Sequence, residues 1–216
     1  MTQKEPYPIP SHEVRAEIRV VNSRFIATLA PAGSVDEARS FISRIKAEFS
    51  DATHNVPVFL IGHGDSVTAH CSDDGEPSGT AGRPALAVLQ GSGLGDVVLV
   101  VTRYFGGTKL GTGGLVRAYS DAVRAVLEKV ERSVRVMADT VSVKLPYTYL
   151  ERVRRIVANC GGIVLDEEFA ADVTLTARLK VETTPEFQAQ IIEMTNGTVK
   201  PVIRATEEIL MPWTSS

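Results

Sequence analysis

The stretch that most constrains the fold is an apolar run in the middle of the chain, Asp96–Tyr104 (DVVLVVTRY). A strand with one face in water alternates apolar and polar residues, whereas an unbroken Val/Leu run is typical of a strand buried on both faces. We therefore predict a strand at this position that is covered on both sides.

Glycines surround this strand. Of the 17 glycines in the 216-residue chain, 13 fall between Gly62 and Gly114. Glycine lacks a Cβ atom and so tolerates left-handed backbone conformations and close backbone contacts. The middle of the chain is therefore expected to contain tight turns or segments that approach one another closely.

The length favours two domains, and the 44% of hydrophobic residues suffice for two packed cores. We place the first domain at residues 1–133 and the second at 134–216, both of a mixed α/β (α+β) class. The second domain reads as βαββαβ, the element order of a ferredoxin-like sandwich. No apolar run is long enough for a membrane span, and the start of the sequence lacks the apolar core of a signal peptide, so we expect a cytoplasmic protein.

Three helix starts are predicted from capping signals. Ser34–Glu37 and Thr148–Glu151 each match a capping box, in which the first and last side chains bond to each other's backbone N–H groups. Thr184 stands before Pro185, which is the arrangement of an N-cap followed by the first helical residue.

The glycine-rich segment Gly106–Gly114 (GGTKLGTGG) follows the central strand and precedes a predicted helix over Leu115–Val130. It is not a P-loop, because Thr112 stands where that motif requires lysine. It is not a dinucleotide-binding motif either, because Val116 replaces the last glycine. Phosphoryl transfer from a nucleotide is therefore disfavoured.

The same segment can still bind an anion, because the first N–H groups of a helix lack intrahelical partners. An alternative interpretation is that the glycines only permit a tight strand-to-helix connection and that the nearby cations are solvated. Both interpretations stay open at this point. The candidate anion-binding residues are Arg103, Tyr104, Lys109, Thr112, Gly113, Gly114 and Arg117.

Asp73, Asp74 and Glu76 place three carboxylates within four residues. Such a cluster can hold a hard cation or supply acid/base chemistry. The interpretation we favour is that the two aspartates cap the turn and the helix that follow, while Glu76 pairs with an arginine. Ser78 and Thr80 are also expected to cap that helix. The histidines and cysteines match no common zinc spacing, so no metal or cofactor is predicted.

The formal net charge of −3 argues against a protein that coats nucleic acid through a general basic field. Residues 1–136 are electrically balanced, and the acidic excess lies wholly in residues 137–216. Within that second part, Arg152 and Arg155 form a secondary basic patch on a predicted helix. Any contact with phosphate is therefore expected to be local.

Two long segments carry a family resemblance. SDDGEPSGTAGRP (Ser72–Pro84) and VTRYFGGTKLGTGGLVRAYS (Val101–Ser120) closely resemble the signature of the IMPACT family. PYTYLERV and DEEFAADVTLT are similar to the second domain of its bacterial, YigZ-like branch. By this resemblance the family pattern falls on a candidate polar cluster of His54, Asp73, Asp74, Glu76, Ser78 and Thr80, and on Arg103, Tyr104, Lys109 and Arg117.

The resemblance implies a first domain with the fold of a small-subunit ribosomal protein and of domain IV of elongation factor G. It implies a second domain like domain V of that factor. It also implies a link to translational control through a starvation-sensing kinase pathway in eukaryotes, and a suspected association with nucleic acid or the ribosome in bacteria, with no established reaction.

Our leading hypothesis is a binding protein that engages RNA, the ribosome or a translation-related protein and regulates translation or a stress response. Arg103, Lys109 and Arg117 would contact phosphate. The alternative is an enzyme that acts on a phosphorylated or anionic small molecule, with metal assistance from the acidic cluster. The sequence favours the binding protein and leaves catalysis, the ligand and the oligomeric state open.

Overall fold

A computed structural model describes residues 6–64 and 66–213. The described chain divides into two units. Unit 1 runs to Val134 and also includes Pro212 and Trp213, and unit 2 is Arg135–Met211. The mixed α/β architecture predicted from the sequence is confirmed.

Unit 1 contains six strands and three helices among its described residues, and a seventh strand begins in it. In chain order these are β1 (Ile9–Pro10), β2 (Val14–Val20), β3 (Ser23–Pro31), α1 (Val35–Glu48), β4 (His54–Ile61), β5 (Thr68–Cys71), α2 (Gly82–Gly91), β6 (Val97–Tyr104), α3 (Gly111–Leu127) and β7 (Arg132–Leu145). Five of the strands form one sheet in the order β2-β3-β6-β4-β5, with antiparallel pairing between neighbours. β1 pairs with the first two residues of β7.

The central strand β6 has a core on each face, as its sequence predicts. Val97, Leu99 and Val101 pack into a cluster with α2 and α3. Val98 and Val100 point the other way and pack against α1. Because successive side chains of a strand alternate between faces, a strand between two helical layers must be apolar at nearly every position.

The first predicted helix start is confirmed. The Oγ atom of Ser34 accepts a hydrogen bond from the N–H of Glu37 at 3.2 Å, and Oε2 of Glu37 accepts one from the N–H of Gly33 at 2.8 Å. The third helix starts at Gly111, four residues before the predicted start. The prediction relied on the apolar periodicity, which begins at Leu115, and the glycines before it form the first helical turn without contributing to that pattern.

Two glycines are required by close backbone approach. A Cβ atom on Gly106 would lie 1.9 Å from the carbonyl oxygen of Asn22, and one on Gly82 would lie 2.8 Å from that of Ser72. Gly106 therefore lets the end of β6 pass the turn between β2 and β3, and Gly82 lets α2 begin against the loop that precedes it.

Most of β7 lies in unit 2. It is followed in chain order by α4 (Leu150–Asn159), β8 (Ile163–Phe169), β9 (Val173–Lys180), α5 (Thr184–Met194) and β10 (Val202–Pro212). The strand order β10-β7-β9-β8 and the element order βαββαβ are those of a ferredoxin-like domain. The two helices cover one face of the sheet, around Val143, Leu175 and Phe187.

The two helix starts predicted in unit 2 are wrong in detail. A short 3₁₀ turn, Tyr147–Tyr149, contains Thr148 and precedes α4, so Thr148 is not an N-cap. Thr184 lies inside α5 and donates its hydroxyl hydrogen to the carbonyl oxygen of Lys180 at 3.1 Å. Thr148 lies within the turn that precedes α4, and the N-caps are Tyr149 for α4 and Thr183 for α5, so each N-cap is displaced by one residue from its predicted position.

Candidate functional site

A cavity of about 420 Å³ lies in unit 1 where β6 ends and α3 begins. Its walls come from the start of β4, the acidic segment, the end of β6 and the start of α3. The lining residues are Thr53, His54, Glu76, Pro77, Arg103, Phe105, Lys109, Leu110, Gly111, Thr112 and Leu115. We call His54, Glu76 and Arg103 the floor, and Phe105, Lys109, Gly111 and Thr112 the mouth.

The floor is built on a buried ion pair. Nη1 of Arg103 donates to Oε1 of Glu76 at 2.7 Å, and the hydroxyl of Tyr119 donates to the same oxygen at 2.7 Å. Only 4% of Arg103 and 8% of Glu76 are exposed. Burial and the neighbouring Glu76 carboxylate raise the pKa of Tyr119, so this hydroxyl remains a donor.

Strand register explains why these groups meet. Arg103 is paired across the sheet with Phe25 of β3 on one side and with His54 of β4 on the other. Its guanidinium lies 5.4 Å from the ring centroids of both Phe25 and Phe105, and Nη2 donates to Oγ of Ser23 at 3.2 Å. Nε of Arg103 is buried and has no hydrogen-bond partner within the described chain.

His54 has a fixed tautomer at its inner nitrogen. Nδ1 lies 2.8 Å from the backbone carbonyl oxygen of Asp74. A carbonyl oxygen only accepts, so Nδ1 carries the hydrogen and donates it. Nε2 is the other nitrogen, and it lies 3.8 Å from Oε2 of Glu76.

The mouth is exposed and positive. Leu110, the N-cap residue of α3, supplies no side-chain hydrogen bond, and among the described residues no other side chain accepts from the N–H groups of Gly111 and Thr112 at the start of the helix. Lys109 stands beside them, and the ring of Phe105 is 45% exposed. The partial positive charge of a helix N-terminus and an ammonium group both favour an anion at this place.

The three carboxylates of the acidic segment have three separate structural roles. Asp73 accepts hydrogen bonds from the N–H groups of Gly79, Ala81 and Gly82 at 2.8, 3.1 and 2.8 Å, and so caps α2. Burial acts to raise the pKa of Asp73, but these backbone bonds outweigh it and the pKa is lowered.

Asp74 binds elsewhere. Its Oδ2 atom accepts from the N–H of Asn55 at 2.7 Å, and its Oδ1 atom pairs with Lys46 at 2.5 Å. Only Glu76 of the three lines the cavity, and it pairs with an arginine, as the interpretation we favoured predicts. Among the described residues no group of three or more His, Cys, Asp or Glu side chains could hold a metal ion.

Several other candidate residues lie outside the cavity lining. Thr80 donates its hydroxyl hydrogen to the carbonyl oxygen of Pro77 at 2.6 Å and Ser78 is exposed, so Asp73, and neither of these two, caps α2. Tyr104 donates to Oδ1 of Asp51 at 2.7 Å. Gly113, Gly114 and Arg117 follow on α3, where Arg117 is exposed.

The structure therefore brings together five of the sequence candidates: His54, Glu76, Arg103, Lys109 and Thr112. Arg103 was predicted to contact phosphate, but its guanidinium is buried against Glu76 and Ser23. Sequence reasoning missed Phe105 and the role of Tyr119. The sequence signal for Phe105 is its position: it is a large apolar residue directly after a predicted strand and before two glycines, which have no side chains to bury it.

The secondary basic patch lies on α4 of unit 2. Arg152 and Arg155 are exposed and form no ion pair within the described chain. Arg154, between them, is held by Glu151 and by Glu167, and hydrogen bonding to Glu167 raises its pKa. None of the described helices combines the length and the apolar composition that a membrane span needs.

Each of the two units matches a known domain family. The model of the Impact N-terminal domain matches residues 21–127, and that of a domain of unknown function, DUF1949, matches residues 143–198. The Escherichia coli (strain K12) protein named IMPACT family member YigZ is 34% identical over 197 residues, which cover 91% of this chain and 97% of YigZ.

Bacillus subtilis (strain 168) YvyE, also named an IMPACT family member, is 36% identical over 181 residues, covering 84% of this chain and 83% of YvyE. A crystal structure described as that of a hypothetical protein is 33% identical, with a TM-score of 0.62, and covers 94% of this chain and 99% of its own. From the matched domain and from relatives that align over nearly their whole length, the chain belongs to the IMPACT family.

Proposed function

We propose that this IMPACT-family protein binds RNA through the cavity of unit 1 and acts on translation as a binding protein. The observation that carries the proposal is the mouth of the cavity, where an uncapped helix N-terminus, a lysine and an exposed aromatic ring lie side by side.

The α3 N-terminus and Lys109 form the phosphate site of the proposal. Backbone N–H groups at a helix start bind phosphate oxygens directly, and the helix dipole adds to the attraction. Lys109 contributes one full charge, whereas the charge of Arg103 is balanced by Glu76 at the floor. The site therefore provides local positive potential in a protein whose net charge is −3.

Phe105 is the stacking surface of the proposal. Single-stranded nucleic acid is recognised by aromatic side chains on which unpaired bases stack, each worth about 1–3 kcal/mol. The backbone N–H of Phe105 donates to Oγ1 of Thr53 at 3.0 Å, which holds this residue at the rim. A fixed exposed ring next to a phosphate site suits one unpaired nucleotide.

The link to translation rests on family membership, which implies domains with folds like those of domains IV and V of elongation factor G. The exposed Arg152 and Arg155 on α4 would add a weak second contact to the RNA backbone. In this proposal the partner is structured RNA with unpaired nucleotides, alone or as part of the ribosome.

The test is an equilibrium titration of labelled structured RNA and of ribosomes at two salt concentrations. We expect the affinity to fall as salt rises, because binding releases condensed counterions. Lys109→Ala should weaken binding at every RNA sequence and reduce the slope of log K against log [salt] by about one. Lys129→Ala, an exposed lysine just beyond the other end of α3, is the matched control and should bind like the wild type.

Absence of binding at both salt concentrations, or a Lys109→Ala variant that binds unchanged, would overturn the RNA proposal. A partner that is recovered by pull-down only as protein, after nuclease treatment, would replace it with a protein adaptor role.

One observation favours a second candidate function, an enzyme acting on an anionic small molecule. His54 lines the cavity beside Glu76, and its tautomer is fixed by the carbonyl oxygen of Asp74. A ring nitrogen held in this way can serve as a general base. Turnover of a phosphorylated compound that is lost in His54→Ala, while RNA binding is absent, would favour this function.

A further inference from the structure

The floor of the cavity contains two hydrogen-bond acceptors that the protein leaves without a donor. Oε1 of Glu76 receives both the Arg103 and the Tyr119 hydrogen bonds, whereas Oε2 receives none from the described residues. The nearest basic group is Nε2 of His54, and 3.8 Å is too long for a hydrogen bond. The Glu76 side chain is nonetheless only 3% exposed.

Nε2 of His54 is the second acceptor. Nδ1 already donates its hydrogen to the Asp74 carbonyl oxygen, and in this tautomer the lone pair of the ring is at Nε2. The Glu76 side chain is 3% exposed and the His54 side chain 18% exposed, and both residues line the cavity, where a ligand or an ordered water can pair with the two acceptors. A ligand group with two N–H hydrogens could pair with both acceptors at once.

The two ends of the cavity thus favour different ligand groups. The mouth favours an anion at Lys109 and the start of α3, and the floor favours an uncharged or cationic N–H donor at Glu76 and His54. A flat ring on Phe105 would connect the two ends. A nucleotide has this arrangement when its base carries an exocyclic amino group.

We infer that the cavity selects a nucleotide with an amino-bearing base, cytosine or a purine such as adenine, over uracil. This inference rests on the proposed RNA-binding function and names the nucleotide that the site takes. Carboxylates accept from the N4 amino group of cytosine and from equivalent amino groups of other bases. Uracil has a carbonyl oxygen at that position and a single N–H beside it, at N3, so it cannot donate a hydrogen to each of the two acceptors.

The test compares cytidine 5′-monophosphate with uridine 5′-monophosphate, which differ at C4, where an amino group is replaced by a carbonyl, and at N3, where a bare nitrogen is replaced by an N–H. It repeats the comparison with oligo(C) and oligo(U) of equal length. We expect the wild type to bind the cytidine ligand about tenfold more tightly, because a site with unpaired buried acceptors rejects the analogue that lacks the donor. Equal affinity for the two would overturn the inference.

Glu76→Gln is the specificity variant. Its amide oxygen can keep the Arg103 and Tyr119 bonds, and its NH₂ group then offers a donor to the cavity. We expect the preference for cytidine to disappear or reverse. Phe105→Ala is the matched variant at an exposed position: it should weaken both ligands equally and leave their ratio unchanged. Thermal unfolding shows whether each variant folds. If Glu76→Gln does not fold, the ratio of the wild-type affinities for the cytidine and uridine ligands tests the inference.

The outcomes separate the inference from the proposed function. Salt-dependent binding of RNA with equal affinity for oligo(C) and oligo(U) refutes the base preference and leaves the RNA proposal standing. A preference for cytidine 5′-monophosphate without any binding of oligonucleotide or ribosome refutes the RNA proposal and makes the cavity a site for free nucleotides. Binding of neither ligand refutes both.

Discussion

The floor and the mouth of the cavity meet at the end of β6, between Arg103 and Phe105, but they are built in opposite ways. The floor consists of side chains that hold one another, with the buried Arg103 between Glu76, Ser23 and two phenylalanine rings. The mouth consists of exposed hydrogen-bond donors at Lys109 and the start of α3. We therefore expect the floor to contribute to stability as well as to the proposed binding, and the mouth to contribute to the proposed binding alone.

The largest expected effect is at the floor. Arg103→Ala leaves Glu76 buried without its counter-charge, and breaking a buried ion pair on one side costs about 3–5 kcal/mol of unfolding free energy. Urea unfolding followed by the fluorescence of Trp213, which belongs to unit 1, measures it. Arg117→Ala, an exposed arginine on α3, is the control and should change stability by less than about 0.5 kcal/mol. A loss below about 1 kcal/mol in Arg103→Ala would mean that the floor is not a structural element.

The next effect is at Asp73, which the acidic segment places beside the floor without lining it. Asp73→Ala removes the cap of α2 and should cost about 1–2 kcal/mol. The pKa of this carboxyl is lowered below its ordinary value of 3.8 in the folded protein, so the carboxylate stabilises the fold at higher pH. The difference in unfolding free energy between wild type and variant should be constant above about pH 5 and shrink as the pH falls below 3.8.

Asp36→Ala provides the comparison for that experiment, since Asp36 also lies in the first turn of a helix but is 94% exposed at its side chain. It should cost little, because the side chain is exposed and its ion pair with Arg39 is screened by solvent. A pH-independent effect of Asp73→Ala would contradict the role of its ionised form.

Much of the fold could be predicted because it is encoded locally. The unbroken apolar run of β6 and the Ser34–Glu37 cap are each visible in a few consecutive residues. The floor could not be predicted, because it depends on which residues lie opposite Arg103 in neighbouring strands, and register is a tertiary property. The α3 start was missed because glycines carry no periodicity.

A smaller effect is expected at the mouth. Lys109→Ala should leave the unfolding free energy within about 0.5 kcal/mol of the wild type, because this side chain is exposed. The affinity for structured RNA should fall about tenfold at low salt, as for the loss of one charge-assisted contact. Urea unfolding measures the stability of the variant, and an RNA titration of the same preparation measures its affinity. A destabilised Lys109→Ala protein would erase the distinction between floor and mouth.

The smallest effect is expected on α4 of unit 2. The double variant Arg152→Ala/Arg155→Ala removes two solvated charges and should weaken RNA binding by less than about threefold, with a reduced salt dependence. Filter binding at low and physiological salt measures this. A loss larger than that of Lys109→Ala would move the principal RNA contact from unit 1 to unit 2.

The central claim is that RNA phosphate is held at the start of α3. The most direct measurement is an amide ¹H–¹⁵N titration of the labelled protein with a short single-stranded RNA. The account predicts that the largest shifts occur at the N–H groups of Gly111, Thr112 and Gly113, with Phe105 following and residues of α4 changing little. Shifts centred on Arg152 and Arg155, with the start of α3 unchanged at saturation, would contradict it.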